Sequence, residues 1–521
     1  MAETIKTLWD DFKNNINFLK ASFLFAFFSH FVILADYLFN HDSLVLLYSD
    51  LSWTLAQGKW FAKPISILKG PLAVHYTSAI IGIIFLSLSA TLILIVLKIK
   101  NKYLSYLIIM LFVSFPAVTV ILFYNGLDYF SITIFLSVLS AHFITKEGWI
   151  NAVAAIALCT ISLGTYQGGI GFSATLCVVI CIKKCMDDKE QIKEIIHEGM
   201  RYIIYLASSA ICYFVILKIV LRIKDVQLSS YKGMDSVLTV IYPKNFILSL
   251  YNTYIKSVQF IWNNNLGPEN GIIIVAYRMF AILLLFSLLI YCINCIIRRK
   301  EIVKQILWLF LFLVALPISA NFPNFLAQGS SFYYITCYSL VMIFIAAIVF
   351  IDEIMISNKV YYFSALSVGI IIIYAWFISN NMLYEKGRFV AQQINSKSIE
   401  IVTRVHEIDG LESDTPIVFV GDAPYLFLET KEWSAAYEYS NYSVMGVGNA
   451  SEVVYNPGIL ISYMQNVLGY NDNYQTYDTC ELVLEDEEHF RNIVDSMTVY
   501  PYKGSIQMCD GIVLVKMSDD Y

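Results

Sequence analysis

Apolar runs near the length needed to cross a bilayer recur along this chain, at about 18–38, 76–97, 103–124, 129–145, 149–165, 169–183, 202–221, 272–297, 305–320, 331–351 and 360–379. Crossing about 30 Å of hydrocarbon takes roughly 20 apolar residues. Within lipid every backbone N–H and C=O must pair inside the protein, so runs of this kind fold as helices. Composition agrees: 58% of residues are hydrophobic and 15% charged, with mean hydropathy +0.63, whereas a water-soluble domain carries about 25% charged residues. Aromatics reach 15%, which excludes a disordered chain. Nucleic-acid binding has no footprint, since the net charge is −6 and no basic cluster alternates with aromatics. The expected fold class is an all-α polytopic membrane bundle of about eleven transmembrane helices.

The connections between runs set the orientation. Lys98, Lys100 and Lys102, then Lys146, then Lys183, Lys184, Lys189, Lys193 and Arg201, then Arg298, Arg299, Lys300 and Lys304, then Lys359 fall in alternate connections. The short connections 125–128, 166–168 and 321–330 hold no Lys or Arg. The positive-inside rule puts the N-terminus in the cytoplasm and the chain after the last run outside, which an odd number of spans requires. Residues 1–17 are too polar to span, and Leu8, Trp9, Phe12 and Ile16 at helical spacing predict an interfacial lead-in helix. Residues 18–383 form the membrane domain, and 384–521 an extracytoplasmic acidic domain.

From Glu385 onward 22 acidic residues face 8 basic ones, a local net charge of −14. Periodicity predicts a helix through Phe389–Ile408, a buried strand at Thr415–Gly421 and a second strand at Gly511–Lys516, the makings of a small α/β or α+β domain. Eight of the 10 cysteines lie in or beside apolar runs and read as small core residues. The other two, Cys480 and Cys509, fall in the polar tail, where an oxidising outer compartment permits a disulfide between them.

Two outward loops, 39–75 and 223–271, are too long to be mere connectors. The second contains Ile247, Leu250, Tyr251, Tyr254, Ile255, Val258, Ile261 and Trp262 at the spacing of an amphipathic interfacial helix. The first holds Asp42, Asp50, Trp53, Lys59, Lys63 and Lys69. Other polar outliers gather on the same side: Asp36, Asn125 and Asp128, Tyr166 and Gln167, and Asn321, Asn324 and Gln328. In a packed bundle they would ring a cavity at membrane level, where acids are functional candidates. Each also has a plainer role. Asp36 fits an interfacial pair, Asp128 an N-cap, Tyr166 and Gln167 interhelical hydrogen bonds, and the lysines headgroup-level anchors. His30 and His142, within the runs, read as interhelical contacts rather than proton relays.

These residue types match one chemistry well. Displacement at a sugar's anomeric carbon needs a carboxylate to take the acceptor hydroxyl's proton, and positive charge for the departing phosphate. Asp42 as base with Lys59 and Lys63 at the phosphate supplies both within one loop. An ion or sugar transporter could use the same residues; the main alternatives are a polysaccharide or lipid-intermediate transporter (a flippase) and a glycan polymerase or ligase, which would use similar outer loops.

Asn40-His41-Asp42 followed by Trp53 and Gly58-Lys59-Trp60, the turn Leu163-Gly-Thr-Tyr-Gln-Gly-Gly-Ile170, and the end Met497-Thr-Val-Tyr-Pro-Tyr-Lys-Gly-Ser-Ile506 through Asp510-Gly-Ile-Val-Leu-Val-Lys516 together resemble the bacterial serotype-converting glucosyltransferases, which decorate O-antigen and related surface polymers. The likeness runs from about residue 18 to the end. It implies a GT-C-like architecture in the bacterial plasma membrane, a polyprenyl-phosphate-linked sugar as donor, most simply glucose, and a surface polysaccharide or glycolipid as acceptor. It carries the acid role to Asp42 and the basic position to Lys59, and it marks Tyr166 and Gln167. Asp128, Asp36, Asp50 and Trp53 join these as candidates for the sugar or acceptor site. A small flippase and a donor-lipid synthase are the implied partners. Two positions depart from the pattern: His41 stands where an acid is frequent, and Lys59 replaces an Arg and its planar fork. No Asp-x-Asp set occurs in the outer loops, so metal independence is expected.

Overall fold

The computed structural model describes residues 2–38, 43–44, 51–70, 74–123, 129–187, 191–230, 240, 242–264, 266, 271–298, 302–326, 334–354, 359–422 and 456–521. Each of the eleven apolar runs carries a helix. Among the described residues six helices are long and apolar enough to cross a membrane: His75–Leu97, Lys102–Phe123, Gln167–Met186, Ile192–Lys224, Gly271–Ile293 and Tyr362–His406. Ile16–Ser29, Tyr129–Ile144, Trp149–Thr165 and Ile306–Ala320 are apolar but shorter. Among the described residues helix length thus supports six of the eleven spans expected. An α-helix rises about 1.5 Å per residue, so the shorter helices fall below the hydrocarbon thickness.

Local chemistry explains where helices break. The Asn101 side chain caps Lys102–Ser114 by accepting from the N–H groups of Tyr103 and Leu104. Pro116 lacks an N–H and pushes the preceding residue out of the α region, and Phe115 is extended, with ψ 135°. The first run breaks at His30, between Ile16–Ser29 and Phe31–Ala35. Both ring nitrogens of His30 are engaged: Nδ1 with the Tyr384 hydroxyl at 2.7 Å, and Nε2 with the Val113 carbonyl at 2.9 Å. That is the interhelical contact expected of it. His142 is buried too, against Phe143, but its Nε2 has no hydrogen-bond partner among the described residues.

The lead-in helix forms over Ala2–Asn14, buries none of its residues and lays Leu8 and Phe12 against the bundle. The amphipathic segment is the helix Pro243–Asn263. It buries Ser249, Thr253, Ser257 and Phe260 and exposes Ile247, Tyr251, Ile255, Val258 and Trp262. Its apolar face therefore points away from the protein, as a lipid-facing helix requires.

The last apolar run continues without interruption as one helix, Lys359–His406. At 48 residues its length is about 72 Å at the standard rise. Trp376 and Tyr384 lie in the bundle core, while Val390, Ile394, Ile401 and Val405 lie in the core of the C-terminal domain. The boundary expected at 383/384 thus falls inside a single helix, which is shared between the two parts.

The C-terminal domain is a four-stranded sheet in the order β2-β1-β4-β3, with β1 Ile417–Val420, β2 Tyr474–Thr476, β3 Ile506–Cys509 and β4 Ile512–Lys516. β1 runs parallel to both β2 and β4. β3 and β4 form an antiparallel hairpin, turned by Asp510 and Gly511 at φ 46° and 82°. That pair of left-handed residues closes a tight hairpin with the twist strands prefer. Ile417 and Phe419 face the long helix and the helix Pro457–Asn466, whereas Val418 and Val420 face Phe490 and Val494 on the other side. Alternate side chains on opposite faces make this a helix–sheet–helix, α/β layer arrangement. Cys480 and Cys509 adjoin the same apolar cluster, Cys480 buried and Cys509 half-buried. Both are free thiols in this structure, without the disulfide that an oxidising compartment would permit.

Candidate active site

The loop that follows the first run folds into short helical turns, Ser52–Gln57, Ala62–Ser66 and Ile67–Lys69. Gly58 ends the first of them at φ 79°, a conformation open to glycine without strain. The Thr54 hydroxyl donates to the Leu51 carbonyl at 2.6 Å, tying the turn to its own start.

This loop is seated on the Tyr-Gln turn. The Phe61 N–H donates to the Gly164 carbonyl at 2.7 Å, and a Cβ at Gly164 would run into the Trp60 indole. The Gln167 side-chain amide donates at 3.0 Å to both the Gln57 carbonyl and the Tyr213 hydroxyl. Tyr213, from the helix Ile192–Lys224, donates in turn to the Gly58 carbonyl at 3.0 Å. The Ser229 N–H closes the assembly on the Ala56 carbonyl at 2.8 Å. Three stretches remote in sequence thereby hold one loop.

At the centre stands Lys59. Its ammonium lies 5.8 Å from the Trp53 ring centroid and 5.5 Å from that of Tyr166, and it donates to the Gln57 side-chain oxygen at 2.7 Å. Aromatic faces attract a cation through their ring quadrupoles and hold it in place. Tyr166 is itself fixed edge-on to Phe130, with centroids 4.5 Å apart. Trp53 is 42% exposed. The Trp60 indole N–H is buried with no hydrogen-bond partner among the described residues. Lys63, on the exposed side, donates to the Ser52 hydroxyl at 2.7 Å.

The structure thus brings Trp53, Lys59, Tyr166 and Gln167 into one group, with Lys63 on the same loop. Asp36 is placed otherwise: its carboxylate pairs at 2.9 Å with Arg388 of the long helix, which also meets Glu385 at 3.2 Å. Asp42, Asp50 and Asp128 lie outside the described residues, as do Asn125 and Gln328. Asn321 and Asn324 are buried and bonded to each other at 2.6 Å. Gln57 and Tyr213 were not singled out in the sequence, and Trp60 and Gly164 stood there only within motifs, with no role assigned. Tyr213 carried no signal, because a tyrosine in an apolar run looks like any other core aromatic.

At the far end of the helix His75–Leu97 lies a second charged group, in which Lys100 and Lys183 both pair with Glu353. Hydrogen bonding to Glu353 holds the Lys100 ammonium above its ordinary pKa. Both of these cations are paired with a carboxylate. Among the described residues no group of three or more His, Cys, Asp and Glu side chains could hold a metal ion. The Lys59 group sets one half-buried ammonium between two aromatic rings, with the Trp60 indole N–H on the same loop.

The model of one protein family, described as Glucosyl transferase GtrII, matches residues 31–344. The match takes in the loop and the Tyr-Gln turn, and it ends before the long helix. No curated protein and no solved structure matches the chain.

Proposed function

Because this chain belongs to the Glucosyl transferase GtrII family, and so is a glycosyltransferase with several membrane-spanning helices, we propose that it moves glucose from a polyprenyl-phosphate carrier to a surface polysaccharide or glycolipid. The observation that carries this reading is the Lys59 ammonium, set between Trp53 and Tyr166 in a half-buried site. A lipid-linked sugar phosphate needs such a cation at the membrane surface as its phosphate departs. A sugar ring stacks on an exposed aromatic face of the kind Trp53 offers.

In this reaction the acceptor oxygen attacks the anomeric carbon from the face opposite the phosphate. The bond from that carbon to the phosphate oxygen breaks, and configuration inverts. Asp42 takes the acceptor's proton, while Lys59 and Lys63 balance the charge on the leaving polyprenyl phosphate. The lysines supply what a divalent ion would otherwise supply, so the reaction runs without metal. Tyr166 and Gln167 line the sugar or acceptor site with Asp50 and Asp128, and Asp36 belongs to the framework through Arg388.

The reading places the site at the outer face of a bacterial plasma membrane, in a GT-C-like bundle whose eleven apolar helices all cross or enter the bilayer. The N-terminus is cytoplasmic and the C-terminal domain outside. A donor-lipid synthase and a small flippase would supply the donor, and the helix Pro243–Asn263 would guide its prenyl chain.

The test is transfer by purified wild type, Asp42→Asn and Lys59→Ala, given labelled polyprenyl-phosphate glucose and a crude cell-envelope acceptor. Loss of transfer in Asp42→Asn with donor still bound supports the base. Normal transfer by that variant removes Asp42 from the role. Wild type that binds donor and moves sugar to no acceptor overturns the transferase mechanism in favour of transport.

A further inference from the structure

Arg278 stands about two turns into the helix Gly271–Arg298, whose stretch Gly271–Ile293 is long and apolar enough to cross a bilayer. Charged side chains are rare inside such segments and are retained for a role. Side chains on a helix tilt toward its N-terminus, and the half-buried Arg278 reaches back to the end of the helix Pro243–Asn263. Its Nε donates to the Trp262 carbonyl at 2.9 Å and its Nη2 to the Asn263 side-chain oxygen at 3.1 Å. The guanidinium carbon lies 5.2 Å from the centroid of the Trp262 ring. Both bonds use one edge of the planar fork. A guanidinium carries five N–H groups. Among the described residues the other edge, Nη1 with the second Nη2 proton, meets no acceptor, and the charge meets no carboxylate.

Exposed apolar stripes run from this point along both helices. One carries Trp262, Val258, Ile255 and Tyr251, and the other Val275, Ile282, Leu285 and Leu289, at helical spacing from Arg278 itself. From Arg278 to Leu289 the helix rises about 16 Å at the standard pitch. One leaflet's share of a hydrocarbon core about 30 Å thick is about 15 Å. The geometry points to a phospholipid site: the open edge of Arg278 takes the phosphodiester of a bilayer glycerophospholipid, and an acyl chain lies along Ile282, Leu285 and Leu289. The planar fork grips two phosphate oxygens at once, and an indole such as that of Trp262 belongs at headgroup level. The described groups holding the guanidinium are a carbonyl, an amide oxygen and an indole, and none carries the negative charge that a headgroup ammonium would need. The lipid favoured is therefore one of single net negative charge, of the phosphatidylglycerol kind, over phosphatidylethanolamine. The site shares no contact with the Lys59 group among the described residues, and the proposal does not depend on the transfer reaction.

The experiment is lipid titration of delipidated full-length protein in detergent, read by native mass spectrometry. The lipids are phosphatidylglycerol, phosphatidylethanolamine and diacylglycerol with the same acyl chains, and a polyprenyl phosphate. Wild type should hold one phosphatidylglycerol molecule more tightly than the next two lipids by about tenfold or more, the worth of a charge-assisted bond. Arg278→Gln should lose that advantage, and Arg278→Lys, which keeps the charge without the fork, should fall between. Should Arg278→Gln fail to fold, wild type given phosphatidylglycerol with a photoreactive acyl chain decides, with crosslinks expected at Ile282, Leu285 or Leu289. Crosslinks confined to other helices, or equal phosphatidylglycerol affinity in wild type and folded Arg278→Gln, would overturn the site. Equal binding of phosphatidylethanolamine would overturn the charge preference. Tighter, Arg278-dependent binding of the polyprenyl phosphate would overturn the phospholipid assignment and give the site to the carrier lipid.

Discussion

The side-chain amide of Gln167 donates at 3.0 Å to the backbone carbonyl of Gln57, across 110 positions of sequence. This one bond, with its companion to Tyr213, decides how the Lys59 loop sits on the bundle. Replacing Gln167 by Leu removes both donors and leaves the Gln57 carbonyl and the Tyr213 hydroxyl short of a partner. Leaving such groups unmet costs about 1–3 kcal/mol. The expected outcome is a lower unfolding temperature and a higher donor KM, with turnover at saturating donor less affected. Thermal unfolding and donor-dependent initial rates measure both.

Lys59 separates charge from shape. In Lys59→Gln the amide keeps a hydrogen-bond donor but loses the cation, and charge-assisted bonds are worth about 1.5–3 kcal/mol against roughly 1 for neutral ones. Binding of labelled polyprenyl phosphate should weaken by about one order of magnitude and transfer by more, because charge on the phosphate grows as it leaves. Lys59→Arg should keep both, since guanidinium also stacks on aromatic rings and grips phosphate with a planar fork. Equal donor binding in wild type and Lys59→Gln would remove this lysine from the phosphate site.

Gly164 is small because Trp60 occupies the space a side chain would need. Gly164→Ala should destabilise the protein by about 1–3 kcal/mol, the usual cost of overpacking. Trp60→Ala would open the same space, so the double variant should be more stable than the sum of the two singles. Unfolding midpoints for the four proteins of the cycle give the coupling directly. A coupling near zero would mean that the loop does not rest on this contact.

His489 and Asp510 pair at 2.7 Å on the surface of the C-terminal domain. The hydrogen bond to Asp510 raises the His489 pKa above its ordinary 6.5. A raised folded value means that the pair's contribution to stability is full below 6.5 and is lost as pH rises through the folded value. Asp510→Asn should return the histidine to its ordinary titration and remove this part of the pH dependence. Asn tolerates the left-handed turn position at Asp510, so the hairpin should survive the change. The ring resonances of His489 in histidine-labelled full-length protein, assigned with His489→Gln, follow the titration. Identical curves in wild type and Asp510→Asn would rule the pairing out in solution.

Much of this molecule follows from the chain alone because the forces involved are local. Each apolar run must pair its own backbone in lipid, so a helix at 149–165 or 75–97 follows from composition and length. The strands at 417–420 and 512–516 follow from short buried apolar runs, whereas the strand at 506–509 and the turn at Asp510–Gly511 that joins it to its neighbour were not read from the sequence. The polar outliers at 53, 59, 166 and 167 stood out against their apolar surroundings, and the structure does join Trp53, Lys59 and Tyr166.

What only the tertiary structure decided depends on contacts between distant positions. Asp36 could be read as a lining residue or as half of an interfacial pair, and only the fold supplies its partner, Arg388, on a helix that begins at Lys359. Tyr213 looked like another core aromatic until its hydroxyl met the Gly58 carbonyl. The shift in composition near 383/384 suggested a domain break, yet the helix runs through it. Helical hydrogen bonds propagate from one turn to the next whatever surrounds them, and Gly387 is kept within the helix where Phe123 and Leu38 press close. Local pairing is written in consecutive residues and can be read there. The partners of Lys59, Asp36 and Arg278 are set by how whole helices pack, and packing brings together side chains whose spacing in the chain carries no trace of it.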